Sequence, residues 1–143
     1  MFDLFGKKKK AELEKEIKFG LMLALNCELE KIKQWNEETF PDATLGGQLE
    51  KLEEEIEESI KAVGTEEFEK ELADIFIVLG GLRRWKSRIG SNQEITLTED
   101  MTIELLGNLL INMNKKMEIN RNRVWKKSGN GKFHHEEGKK KNV

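Results

Sequence analysis

Two short acidic segments contain the side chains best suited to chemistry in this sequence. Each places two carboxylates three residues apart, namely Glu55 with Glu58 and Glu71 with Asp74. On an α-helix this spacing puts both carboxylates on one face, one turn apart. Two such pairs on adjacent antiparallel helices would bring four carboxylates together. Hard divalent cations, above all Mg²⁺, prefer oxygen ligands in such an arrangement.

The second pair is the more informative, because Glu71 lies within an apolar stripe. At about 100° per residue, it falls beside four apolar residues of its helix, Phe68, Ile75, Val78 and Leu82. Asp74 lies at the edge of the stripe. A buried, unpaired carboxylate is costly, so a metal ion or a buried cation is expected beside it. A structural salt bridge remains the alternative, and the first pair on its own is also compatible with a solvated acidic face.

A further set of polar residues occurs downstream, in the last predicted helix. Asn120 falls within the apolar stripe of that helix, and Lys116 and Arg123 lie along one flank. An ammonium, an amide and a guanidinium along one edge suit the recognition of a polyphosphate. A solvated basic face near a helix C-terminus is the alternative interpretation.

These motifs resemble those of the MazG-like nucleotide pyrophosphohydrolases, in their small single-domain phage and bacterial form. The family signature is E-x-x-E, a spacer of about a dozen residues or more, and E-x-x-D, which residues 51–58 and 71–79 match. The segment Lys116-x-x-x-Asn120-x-x-Arg123, which ends at Trp125, is similar to the family's downstream motif. The resemblance covers about residues 30–127.

The resemblance implies an all-α fold that self-associates as a homodimer or homotetramer. It implies hydrolysis of (deoxy)nucleoside triphosphates to the monophosphate and pyrophosphate. Mg²⁺, with Mn²⁺ as a substitute, would be held by four metal ligands, Glu55, Glu58, Glu71 and Asp74. The groups that contact phosphate or nucleotide would be Lys116, Asn120 and Arg123. Glu54, next to the metal ligands, is the candidate for orienting the attacking water, although it could equally be solvated.

The hydrophobic periodicity predicts the helices that must position these residues. The predicted spans are about 11–35, 46–63, 66–88 and 98–127, with Thr98 as the N-cap of the last. The second span has its apolar residues in one repeating pattern, made of Leu49, Leu52, Ile56, Ile60 and Val63. Four helices with short connections predict an antiparallel four-helix bundle in one domain of residues 1–143. Residues 1–10 and 128–143, the latter including His134 and His135, are expected to be flexible tails.

Composition narrows the class of protein. The chain has 143 residues and a net charge of −2, which does not support a nucleic-acid-binding module. The single cysteine, Cys27, excludes an internal disulfide. No apolar run approaches the roughly 20 residues that span a membrane, and in residues 1–10 the apolar residues precede the lysines, unlike a secretory signal. The expected location is the cytoplasm, without a membrane partner.

The sequence leaves several alternatives open. The aromatic side chains of Trp35, Phe40 and Trp125 could stack on a nucleotide base, although packing explains tryptophans at helix ends equally well. A non-catalytic helical interaction protein and a metal-binding protein without activity are two rival classes. A dimeric dUTPase-type phosphohydrolase shares the same carboxylate chemistry and is the third.

Overall fold

The computed structural model describes residues 4–86, 97–127 and 133–140 and confirms the predicted all-α, bundle-like architecture. In chain order, its helices are α1 (Leu4–Thr39), α2 (Leu45–Ala62), α3 (Phe68–Leu82) and α4 (Ile103–Arg121). A short 3₁₀ turn, Arg83–Trp85, continues α3. After α4, two strands pair antiparallel, β1 (Arg123–Lys127) with β2 (Phe133–Lys140).

Local side-chain chemistry fixes the helix ends. The Thr44 hydroxyl accepts a 3.0 Å hydrogen bond from the Gly47 amide at the start of α2, which satisfies a donor that a helix N-terminus leaves unpaired. Gly64 follows the end of α2 with φ of 83°, a conformation that favours glycine. Thr102, not the predicted Thr98, caps α4, because its hydroxyl accepts from the Leu105 amide at 3.1 Å.

Where the structure describes the two predicted tails, it contains regular elements. Helix α1 begins at Leu4 and includes the lysine run 7–10, consistent with the good helix propensity of lysine, alanine and glutamate. Helix α4 ends at Arg121 rather than near Lys127, and β1 follows it. His134 and His135 belong to β2, where they pair with Lys126 and Trp125. Residues 1–3, 87–96, 128–132 and 141–143 lie outside the described residues, and they include the predicted end of the third helix near Arg88.

Helix α3 is central and packs against α1, α2 and α4. The main core cluster takes residues from three helices: Leu25, Leu29 and Ile32 of α1, Ala73, Phe76 and Ile77 of α3, and Leu109, Met113 and Met117 of α4. Helix α2 adds none to this cluster. Its buried residues are small or polar, namely Gly47, Gln48, Glu55, Ser59 and Ala62.

The apolar pattern of α2 therefore lies mostly on its outer face. Leu49 and Ile56 are 44% and 41% exposed, and Ile60 and Val63 are 66% and 64% exposed. At about 100° per residue these four positions share one side of the helix. In this chain, the polar face of α2 points inward and an apolar face points to solvent.

Within the described ranges, no helix combines the length and the apolar character that crossing a membrane requires.

Candidate functional site

Three of the four predicted metal ligands meet where α2 packs against α3. Glu55 of α2 and Glu71 and Asp74 of α3 each offer one carboxylate oxygen, and these oxygens lie within 4.8 Å of one another. The i, i+3 spacing on α3 puts Glu71 and Asp74 on the same side of the helix. Glu58, the fourth predicted ligand, is exposed and lies outside this cluster, on the wall of the adjacent cleft.

The cluster contains buried carboxylate oxygens that lack a hydrogen bond. Glu55 is only 6% exposed. The Oε2 atoms of Glu55 and Glu71 are both buried, and neither has a hydrogen-bond partner among the described residues. Such groups are costly to desolvate unless a cation or a donor compensates them. The donor set and its two unpartnered oxygens therefore fit a divalent cation.

The electrostatics of Glu71 point the same way. Burial raises the pKa of its carboxyl above the ordinary 4.5, and the negative charge of Asp74 raises the pKa further. The positive charge of Lys116 opposes this shift, whereas the charges of Glu58 and Glu55 add to it. The folded chain thus disfavours the charged form of Glu71, and a bound cation would reverse that preference.

Helix α4 supplies a cation to the acidic cluster. The Lys116 ammonium lies 2.6 Å from Oδ2 of Asp74, and both side chains are about a quarter exposed, at 25% and 28%. This ion pair links α4 to α3 beside the three carboxylates. The salt bridge predicted as an alternative to a metal thus exists at Asp74, but it leaves Oε2 of Glu55 and Glu71 without a partner.

The other two predicted nucleotide-contacting residues lie where α4 passes into β1. The Arg123 guanidinium donates to Oδ1 of Asn120 at 3.1 Å. The indole N–H of Trp125 donates to the Asn120 backbone carbonyl, also at 3.1 Å. Asn120 therefore fixes the positions of both Arg123 and Trp125 at the start of β1.

A cleft of about 690 Å³ joins these groups. Its walls carry three carboxylates, from Glu55, Glu58 and Asp74, and three cationic groups, from Lys51, Lys116 and Arg123. Asn120 also lines it. The volume falls within the roughly 300–1,000 Å³ of small-molecule sites.

Three aromatic side chains also line the cleft. Trp35, Phe40 and Trp125 pack edge to face, with ring centroids 5.3 Å apart for Trp35 and Phe40, 5.9 Å for Trp35 and Trp125, and 5.1 Å for Phe40 and Trp125. Mutual packing thus accounts for part of their contact surface. The buried indole N–H of Trp35 has no hydrogen-bond partner among the described residues.

Arg84, in the 3₁₀ turn after α3, holds the end of α1 at this side of the cleft. Its guanidinium donates to Oδ1 of Asn36 at 2.9 Å and to the Phe40 carbonyl at 2.8 Å. Burial lowers the pKa of Arg84, but a guanidinium stays charged at neutral pH. Asn36 and Phe40 both line the cleft, so this contact fixes part of its wall.

Lys51, which was not among the predicted site residues, also lines the cleft. Its ammonium lies 3.0 Å from Oε1 of Glu55 and 3.8 Å from Oε2 of Glu54. Burial acts to lower the pKa of Lys51, but the hydrogen bond to Glu55 and the charges of Glu55, Glu54 and Glu58 outweigh it, so that the pKa is raised above 10.5. The i, i+4 spacing of Lys51 and Glu55 was the available signal.

The candidate water-orienting residue, Glu54, is next to the cluster in sequence but points elsewhere. Its side chain is 41% exposed, pairs with Lys51 and is not among the lining residues of the cleft. Two buried polar residues, Gln48 and Asn36, line the cleft instead. Asn36 follows Leu29 and Ile32 at the same three- or four-residue spacing, so its place in the apolar stripe of α1 was an available signal. Gln48 lies on the polar face of α2, where spacing does not distinguish it from solvated residues.

Comparisons of the chain with protein-family models, with curated proteins and with solved structures find no match. The MazG-like resemblance thus rests on the motifs of the sequence alone, and what it implies about activity stays a prediction.

Proposed function

We propose that this protein hydrolyses (deoxy)nucleoside triphosphates to the monophosphate and pyrophosphate with the help of Mg²⁺. The proposal rests on one observation: the carboxylates of Glu55, Glu71 and Asp74 lie close together beside a cleft that is lined with cationic side chains. The buried Oε2 atoms of Glu55 and Glu71 lack hydrogen-bond partners, and a bound cation would offset the cost of their desolvation. The resemblance of the motifs to MazG-like enzymes supports the choice of reaction.

In this proposal, Glu55, Glu71 and Asp74 would hold the ion, and Glu58 would join them from the cleft wall. A bound Mg²⁺, or Mn²⁺ in its place, would neutralise charge on phosphate oxygens as the α–β linkage breaks. The carboxylates themselves repel a polyphosphate, so nucleotide binding depends on the ion and on the cationic residues. This dependence predicts that nucleotide affinity falls sharply when the ion is removed.

Lys116, Asn120 and Arg123 are the proposed contacts to the phosphates or the nucleotide. Lys116 and Arg123 offer charge-assisted donors, which bind phosphate more strongly than neutral donors do. Asn120 positions Arg123 through a 3.1 Å hydrogen bond. The aromatic group of Trp35, Phe40 and Trp125 borders the same cleft and is the proposed neighbour of the base.

Glu54 is the proposed residue for orienting the attacking water. Its side chain would have to leave Lys51, 3.8 Å away, and turn towards the cleft. The Glu54→Gln variant tests this role, because it removes the charge and keeps the size of the side chain. Full turnover with unchanged metal binding would exclude Glu54.

The first experiment measures pyrophosphate release from the common NTPs and dNTPs with Mg²⁺. We expect the wild type to release pyrophosphate and Glu71→Gln to be at least about 100-fold slower. Mutating a residue that only hydrogen-bonds to a metal ligand already lowers activity by about 10–100-fold, and mutating a ligand itself should lower it more. Glu57→Gln is the matched control, since Glu57 is an exposed glutamate of α2 outside the cluster. Circular dichroism verifies that each variant is folded.

The same panel distinguishes the rival functions. Release from dUTP alone would indicate a dUTPase-type activity. Absence of release by a folded protein that binds Mg²⁺ would contradict the proposed hydrolysis and favour a metal-binding protein without catalysis. We further propose a cytoplasmic location and a homodimer or homotetramer as the working form.

A further inference from the structure

Lys51 lines the same cleft as the predicted phosphate contacts but belongs to a different helix. Lys51 belongs to α2, whereas Lys116 belongs to α4 and Arg123 to β1. All three line one cleft, which carboxylates of α2 and α3 also line. Lys51 is 35% exposed, so its ammonium is partly desolvated but still accessible from the cleft.

We infer that Lys51 is a further phosphate-binding residue, which contacts the polyphosphate of the nucleotide from the α2 side of the cleft. The inference rests on the proposed nucleotide hydrolysis and adds a residue to the binding site. Lys51 pairs with Glu55 at 3.0 Å. When Glu55 shares its charge with a divalent cation, its attraction for Lys51 weakens, and the ammonium can turn to a phosphate oxygen.

The charges of the site support this assignment. Glu55, Glu58, Glu71 and Asp74 bring four negative charges when ionised, and a nucleoside triphosphate carries about four more near neutral pH, since the second phosphate pKa is about 6. One Mg²⁺ with Lys116 and Arg123 offsets only about half of this sum. Lys51 is the additional cation on the cleft wall, where an ammonium–phosphate contact is charge-assisted.

An orienting role for Lys51 would have a different consequence. Lys51 occupies Oε1 of Glu55 while Oε2 stays unpartnered, so the ammonium could simply hold the carboxylate for the metal. In that case its removal would weaken the binding of Mg²⁺ itself. If Lys51 contacts phosphate, its removal weakens nucleotide binding and leaves Mg²⁺ binding intact, because removing a nearby positive charge does not disfavour a cation.

The test compares wild type, Lys51→Met, Lys51→Arg and the control Lys61→Met by calorimetric titration. Lys61 is an exposed lysine of the same helix that is not among the lining residues of the cleft. Two probes are used: Mg²⁺ alone, and the α,β-methylene analogues of the four common dNTPs in the presence of Mg²⁺. These analogues are not cleaved at the α–β position, so binding is measured apart from turnover.

We expect Lys51→Met to raise the Kd of the analogues about ten-fold, which corresponds to about 1.4 kcal/mol. Its Kd for Mg²⁺ should rise by no more than about two-fold, a change of about 0.4 kcal/mol. Lys51→Arg should recover most of the nucleotide affinity, and Lys61→Met should resemble the wild type.

Three outcomes would overturn the inference. Equal analogue binding by wild type and Lys51→Met would exclude the contact and leave the proposed function standing. A loss of Mg²⁺ affinity that accounts for the whole loss of nucleotide affinity would show that Lys51 only orients Glu55. Wild-type protein that binds Mg²⁺ but no analogue would contradict the proposed function and the inference together.

Discussion

At the scale of single residues, the folded chain disfavours the charged form of Glu71. Burial and the neighbouring charge of Asp74 raise its pKa above 4.5, so folding favours the protonated form. A raised pKa of this kind contributes stability that is fully present below the unfolded pKa, about 4.5. That contribution is lost as the pH rises through the higher pKa of the folded state. At pH 8 the metal-free protein is therefore less stable than it would be with a neutral side chain at position 71.

This imbalance predicts that Glu71→Gln stabilises the metal-free protein, although the same substitution should impair the proposed hydrolysis. At pH 8 in the presence of a chelator, we expect the free energy of unfolding of Glu71→Gln to exceed that of the wild type by about 1 kcal/mol, which is typical when an unfavourable charge is removed. The melting temperature should rise by about 4 °C. The difference should shrink towards pH 4.5. With Mg²⁺ the order should reverse, because the wild type alone gains ligand stabilisation.

Thermal and urea unfolding at pH 5 and pH 8, each with chelator and with Mg²⁺, provide the measurement. Glu57→Gln, which changes an exposed carboxylate outside the cluster, should match the wild type under all four conditions. A Glu71→Gln variant that is less stable than the wild type at pH 8 in chelator would contradict the assigned electrostatics.

At the scale of elements, the close contact of α1 with α3 depends on glycine. A Cβ added at Gly80 would lie 2.9 Å from Cγ2 and 3.1 Å from Cβ of Ile32. At the neighbouring Gly81, an added Cβ would lie 2.7 Å from the Asn36 amide nitrogen. Asn36 accepts a hydrogen bond from Arg84 and lines the cleft. The packing of the two helices thus bears directly on the geometry of the cleft wall.

Alanine substitutions at two helical glycines should therefore change stability in opposite directions. Gly80→Ala forces α1 and α3 apart, and overpacking of this kind costs about 1–3 kcal/mol. Gly107→Ala in α4 meets nothing within 4 Å, and it should stabilise by about 0.5–1 kcal/mol, as alanine does in a helix interior. Urea denaturation measures both. Stabilisation by Gly80→Ala would show that the helices separate more easily than the contact distances indicate.

The sequence predicted the helices better than it predicted their ends. Periodicity located α1 to α4 because each helix repeats its apolar residues over several turns. The strand pair was missed, because β1 is only five residues long and both strands are rich in charged residues such as lysine, which are depleted in strands. The cap of α4 was assigned to Thr98 instead of Thr102, since both threonines precede the same helix and only the backbone conformation distinguishes them.

At the scale of the whole molecule, the site could be predicted in part. The i, i+3 spacing of Glu71 and Asp74, and the apolar surroundings of Glu71, predicted the convergence with Glu55 that the structure contains. Spacing did not predict which cation pairs with which carboxylate: the Lys116–Asp74 ion pair joins residues 42 positions apart. The position of Lys51 on the cleft wall likewise depends on how the helices pack, which spacing within one helix does not determine.

The orientation of α2 bears on how copies of the chain associate. Its polar face lines the cleft, and its apolar stripe of Leu49, Ile56, Ile60 and Val63 is 41–66% exposed. Solvent-exposed apolar patches on soluble domains commonly mark interfaces. We therefore expect the stripe to be buried between copies of this chain, which agrees with the proposed homodimer or homotetramer and leaves the cleft open.

The Ile60→Lys substitution tests this assignment by sedimentation velocity. The wild type should sediment as a species at least twice the mass of one chain, and Ile60→Lys should weaken association at least about ten-fold, because a buried unpaired charge at an interface costs more than about 1.4 kcal/mol. Lys61→Glu, on another side of the same helix, serves as the control and should associate like the wild type. A wild type that stays monomeric across the micromolar range would contradict the proposed oligomer. If Ile60→Lys associates like the wild type, the interface would instead involve the exposed apolar residues of α1, which include Leu13, Ile17 and Leu23.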